Sequence, residues 1–179
     1  MKELALHILD VAENGISAGA DRIEITVEET IPANRLTIAI ADNGGGIAAD
    51  AMERVTDPFY TTRTTRRVGL GLSLLQNAAR QCDGTMTIDS EPGEGTRIAA
   101  TFARDHIDRA PLGDMAGTLT ALIFGNPGVE ITYYHRIDGK EIIVDTMAIK
   151  AAFDNRPVTD PEVMQHIMTV IDEIKTGKG

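Results

Sequence analysis

The sequence predicts an α+β fold in which one helix and a strand hairpin are followed by a second helix and a second hairpin. Three observations carry this. Leu4, Ile8, Val11 and Ala12 recur at helical spacing, residues 22–28 alternate polar with β-branched side chains and residues 35–41 alternate again, and the succession returns as a helix over 70–81 with strands over 85–90 and 96–102. A chain of 179 residues, 42% hydrophobic, is long enough to bury a proper core around such a set.

The first helix is expected over 4–17, closed by Ala18-Gly19-Ala20. The strands over 22–28 and 35–41 meet at a Pro32-Ala33-Asn34 turn, which places Asp42 at a strand end. A helix over 48–55 and an irregular stretch precede the helix over 70–81, which Asp83-Gly84 terminates. The last two strands flank the turn Pro92-Gly93-Glu94-Gly95. The charged, proline-containing segment 104–113 reads as a boundary, setting a domain over 1–104 apart from a small α+β extension over 113–179. In that extension strands are expected over 118–124, 130–136 and 141–146, and helices over 148–153 and 161–174. The last of these has Asp160 as cap and Pro161 at its first position.

A net charge of -10 and a pI near 4.8 set the molecule against nucleic acid and anionic membrane surfaces as partners. Cys82 is the sole cysteine, which excludes an intrachain disulfide and reads as a small buried apolar residue in a reducing compartment. The apolar runs near 68–75 and 119–124 are too short to cross a bilayer, and the N-terminus lacks the basic flank of a signal peptide. A cytoplasmic protein is expected.

Four short segments carry chemistry. On the first helix, Asp10 and Asn14 stand four residues apart on one face, which His7 and Ser17 share. An asparagine amide oxygen can complete the octahedron of a magnesium ion held mainly by phosphates and water, and a carboxylate one turn earlier can accept a proton from an attacking hydroxyl. An ordinary solvated helix face is the plain alternative. Asp42, followed by Gly44, Gly45 and Gly46, offers an acceptor for an adenine amino group beside backbone free of β-carbons; a tight strand-to-helix turn is the alternative. Gly69-Leu70-Gly71 opens a helix directly after Arg63, Arg66 and Arg67, so backbone N–H groups and the helix dipole can meet phosphate there. Exposed arginines with no ligand are the alternative. The glycine spacing fits neither a P-loop nor a Rossmann turn.

In combination these segments resemble the GHKL superfamily, which includes sensor histidine kinases, gyrase, MutL and anti-sigma factor kinases. Asp10-Val-Ala-Glu-Asn14 looks like the N box, Asp42 to Ile47 the G1 box, Asp57-Pro-Phe59-Tyr-Thr-Thr62-Arg63 the F box and Gly69-Leu-Gly71-Leu72 the G2 box. The run from Gly84 through Gly93-Glu-Gly95-Thr96 resembles the histidine-kinase stretch that ends in the G3 glycines. The resemblance implies a Bergerat fold: a two-layer sandwich in which helices cover one face of a mixed sheet, with ATP held between the helices and a lid around residues 60–68. It carries Asn14 to magnesium, Asp42 to adenine, Gly69 and Gly71 to the phosphates and Thr96 to the adenine end. Gly44, Gly46, Ile47, Phe59, Thr62, Arg63, Leu70 and Leu72 fall within the boxes that surround the nucleotide. Asp10 stands in the catalytic position, where hydrolysing members have glutamate; one methylene fewer sets its carboxylate back by roughly 1.5 Å.

The resemblance therefore implies a magnesium-dependent ATP-binding protein that passes the γ-phosphoryl group to a partner protein, or slowly to water. The motif helix opens the sequence, so the phosphoacceptor is expected on another polypeptide. His7 is expected to contact Asp10, and His106, His135 and His166 to be structural. The rival expectation is a nucleotide-sensing interaction subunit without turnover, which the shortened Asp10 favours. The extension over 113–179 is expected to dock a partner or a second copy of the chain; alternatively, Lys140 or Lys150 reaches the γ-phosphate.

Overall fold

The structure, a computed structural model, describes residues 2–52 and 70–176. Helix α1 (Leu4–Ser17) leads into the hairpin β1 (Arg22–Thr30) and β2 (Arg35–Asp42), then a short α2 (Ala49–Met52). After the undescribed stretch come α3 (Leu70–Gln81), the hairpin β3 (Met86–Glu91) and β4 (Gly95–Ala103), then α4 (Met115–Gly125), β5 (Glu130–Ile137), β6 (Lys140–Asp145), α5 (Thr146–Ala152) and α6 (Pro161–Thr176). The part of the expected 48–55 helix beyond Met52 lies outside the described residues.

The strands form one six-stranded mixed sheet in the order β3-β4-β2-β1-β5-β6, antiparallel except for the parallel pair β1–β5. Burial alternates along β1, where Ile23, Ile25 and Val27 are sealed and Glu24 and Glu28 exposed, as a sheet covered on one face by helices requires. Ile38 and Ile40 of β2, Ile98 and Phe102 of β4, and Tyr133 of β5 complete that inner face. Helix α1 lays Leu4, Ile8 and Val11 against it, each worth about 1.5–3 kcal/mol when fully buried.

The segment read as a boundary completes α1. Its first turn has backbone N–H groups with no partner inside the helix, and those of Leu4 and Ala5 donate to the carbonyls of Pro111 (3.0 Å) and Leu112 (2.8 Å). Residues 113–176 then join the same sheet and the same core, with Ile131 pairing Ile23 and Tyr133 pairing Ile25 in the β1–β5 register.

One sequence expectation is overturned. Residues 118–124 are not a strand; they lie within α4, whose residues Met115, Ala116, Thr118, Leu119, Leu122 and Ile123 are all buried. A helix packed on several sides carries no polar stripe, so its apolar run cannot be told from a buried strand by periodicity. The signal that identifies it is Asp114, whose side chain accepts the Gly117 N–H at 2.8 Å as an N-cap.

Candidate nucleotide-binding site

The antiparallel registers place Asp42 at the end of β2 opposite Thr96 of β4, and Thr96 opposite Ser90 of β3. Three polar side chains thus stand in one row across the sheet. Asp42 is half-buried, and its Oδ1 accepts the Gly44 N–H at 2.9 Å, which turns the following loop back over the strand end. That loop is laced to its neighbours: Gly45 N–H donates to Ala18 O (2.9 Å) and Gly93 N–H donates to Gly45 O (2.8 Å).

The glycines here answer to close approach. Gly46 has φ +68°, and a β-carbon on it would fall 2.1 Å from Glu91 O; Gly95 has φ +112°, with Asp42 O at 2.0 Å from the same construction. Gly15 of α1, which departs from the commonest residue of the N box without removing a ligand, has a packing role that the motif does not reveal. A β-carbon there would sit 2.8–2.9 Å from the Asp42 side chain, so Gly15 lets the helix close on that carboxylate.

Between α1, α3 and the β2–β4 wall is a cavity of about 90 Å³. It brings together Asn14, Asp42, Gly46, Ile47, Leu72 and Thr96, six of the residues predicted to bind nucleotide. A wider groove of about 440 Å³ shares Asp42 and Thr96 with it and runs along Ile88, Glu91 and Glu94. Asp10 lies beside the cavity, not in its lining: its Oδ2 occupies the space that a β-carbon on Gly71 would need, packing the start of α3 directly on α1.

Residues 2–106 match the family of histidine kinase-, DNA gyrase B- and HSP90-like ATPases. The chain belongs to this family. Among its relatives, a putative sensor protein of Shewanella frigidimarina is 36% identical over 104 residues, covering 57% of this chain and 16% of the relative. The sensor histidine kinase YxdK of Bacillus subtilis is 35% identical over 108 residues, covering 56% of this chain and 33% of the kinase. The chain therefore spans a third or less of the length of these relatives. Among solved structures, the MutL ATPase domain of Aquifex aeolicus in complex with ADP superposes with a TM-score of 0.52 at 16% identity, over 87% of this chain and 70% of that one. The N-terminal domain of a DNA repair protein gives 0.59 at 17%, over 86% and 57%. At such identities the likeness is one of fold, and that fold is the one that the GHKL resemblance implies.

As a member of this ATPase family the chain is expected to bind ATP, and the cavity has the chemistry for it. A half-buried carboxylate faces backbone that only glycine allows to approach. No group of three or more His, Cys, Asp or Glu side chains that could hold a metal ion occurs among the described residues.

Phe59, Thr62, Arg63 and Gly69, with Arg66, Arg67 and the expected lid, lie outside the described residues, as does the Leu70 side chain. His7 is buried, 3% exposed, and its Nδ1 has no hydrogen-bond partner among the described residues; burial, and secondarily the N-terminal charge, push its pKa down. His106 lies 3.8 Å from Asp83, and His166 packs on Phe153 with ring centroids 5.4 Å apart. Lys150 is ion-paired with Glu130. Cys82 is a buried free thiol whose pKa burial raises. No helix among the described residues is long and apolar enough to cross a membrane.

Proposed function

We propose that this protein binds Mg–ATP in the α1–β2–β4 cavity, in the cytoplasm, and passes the γ-phosphoryl group to a side chain of a partner protein, or slowly to water. The observation that carries the reading is the convergence of Asn14, Asp42, Gly46, Ile47, Leu72 and Thr96 on one cavity from α1, β2, the following loop, α3 and β4. Asp42 accepts from the adenine amino group, Asn14 ligates magnesium through its amide oxygen, and the G2-box glycines Gly69 and Gly71 meet the phosphates. The acceptor's oxygen or nitrogen attacks the γ-phosphorus and the bond to ADP breaks, with Asp10 taking the acceptor's proton.

A second reading has an observation of its own. The Asp10 carboxylate is packed against the Gly71 backbone and does not line the cavity; in that position it serves α1–α3 packing. The protein then senses ATP and presents a nucleotide-dependent surface to a partner or a second copy. Incubation with magnesium and γ-labelled ATP, alone and with cell extract, separates the two. Label that enters a second protein and is lost with Asn14→Ala supports transfer; tight ATP binding with no label released or transferred supports sensing.

A further inference from the structure

Ser90 lies in the run from Gly84 to Thr96 but was assigned no role there, yet it sits at the centre of the site's hydrogen bonds. Its Oγ accepts the Ile47 N–H at 2.8 Å, lies 2.9 Å from the Gly95 carbonyl oxygen, and lies 2.9 Å from Thr96 Oγ1. A serine hydroxyl has one proton to give and two lone pairs to receive with. A carbonyl oxygen can only accept, so the Ser90 proton goes to Gly95. An amide N–H can only donate, so Ile47 takes one lone pair. The remaining contact is satisfied only if Thr96 donates, and the capacity of Ser90 is then full.

The consequence falls on Thr96, which lines the cavity. Its proton is committed to Ser90, so it turns only lone pairs toward a ligand. Asp42 beside it in the sheet register accepts only, and its Oδ1 already takes the Gly44 N–H. These two side chains of the strand wall therefore present only acceptors to the cavity. At the purine 6-position they suit an exocyclic amine, which offers N–H protons, and oppose an exocyclic carbonyl, which offers none.

Resting on the nucleotide reading above, we propose that Ser90 is a positioning residue for base selectivity: by consuming the Thr96 proton it makes this wall read an exocyclic amine against an exocyclic carbonyl. Freed from Ser90, the Thr96 hydroxyl could turn its proton to the base and accommodate the carbonyl.

The test compares ATP with inosine triphosphate, which has a carbonyl in place of the 6-amino group, in competition binding with the full chain. Wild type should prefer ATP. Ser90→Ala should narrow the ATP-to-ITP affinity ratio about fivefold, the worth of one ordinary hydrogen bond, whereas Ser90→Thr should restore it. General loosening of the site would weaken both nucleotides alike and leave the ratio unmoved. Thr96→Val should narrow the ratio by itself, and adding Ser90→Ala should change it no further; if the Ser90→Ala protein does not fold, Ser90→Cys, whose thiol is a weak donor and acceptor, replaces it in both arms with the same expected direction. An unchanged ratio in Ser90→Ala, or additive effects in the double variant, overturns the assignment while the ATP reading stands. A wild type that binds neither nucleotide overturns both.

Discussion

The two ends of the β1–β2 hairpin use polar groups in opposite ways. At the Asp42 end, hydroxyls, amides and carbonyls are matched to one another and glycines bring the backbones together, leaving an open cavity. At the far end Glu29 binds Arg104 at 2.7 Å, with His135 Nε2 3.9 Å from its other oxygen. Beside them the Tyr133 hydroxyl, on a fully buried ring, has no hydrogen-bond partner among the described residues, and its pKa is raised by burial and secondarily by Glu29. One end encloses a cavity; the other is a polar cluster at the edge of the core. A perturbation at the first should appear in binding, and one at the second in stability alone.

The largest expected effect is Gly46→Ala. Positive φ combined with a carbonyl 2.1 Å from the new β-carbon should cost about 3 kcal/mol or more and abolish ATP binding, read by thermal melting and by nucleotide titration. Asn14→Ala should follow: loss of a metal ligand should lower magnesium-dependent binding or turnover about 10–100-fold with little change in unfolding free energy. Intact magnesium dependence would remove Asn14 from the site. Arg104→Ala should cost about 1 kcal/mol in urea unfolding, discounted because Arg104 is 36% exposed, and should leave ATP affinity alone. A matching loss of affinity would mean that the two ends are coupled.

The smallest effect is in pH. Burial lowers the pKa values of His7 and His135 below the ordinary 6.5, with Glu29 opposing the shift at His135. The unfolded chain therefore binds protons more readily, so stability is full above about pH 6.5 and declines as pH falls through that value toward the folded pKa values. The slope is at most about 1.4 kcal/mol per pH unit for each histidine. His7→Leu should flatten the decline between pH 6.5 and 5.5 in unfolding titrations; an unaltered slope would remove His7 as a contributor.

Local rules made the nucleotide end readable. Helical spacing gives α1, alternation gives the two hairpins, and the glycine segment after β2 gives Asp42 and Gly46. The GHKL resemblance then supplies Thr96 and the layered fold. What escaped depended on distant partners. Ser90 is one polar residue in a strand until register brings it to Ile47 and Thr96. Gly15 matters only because Asp42 lies 27 positions away in the chain and next to it in space. α4 reads as a strand in sequence because burial erases its amphipathic pattern. No local sequence feature announced that β5 would pair with β1 in parallel.

That pairing has a consequence for cutting the chain. β5 covers the side of β1 that β2 leaves open, over the register from Arg22↔Glu130 to Glu29↔Ile137. A fragment ending near residue 104 would turn β1 into a raw margin of unpaired amides and carbonyls and would remove Ile131 and Tyr133 from the core. Such an excised piece should self-associate, visible by light scattering, even though every recognisable nucleotide motif remains within it.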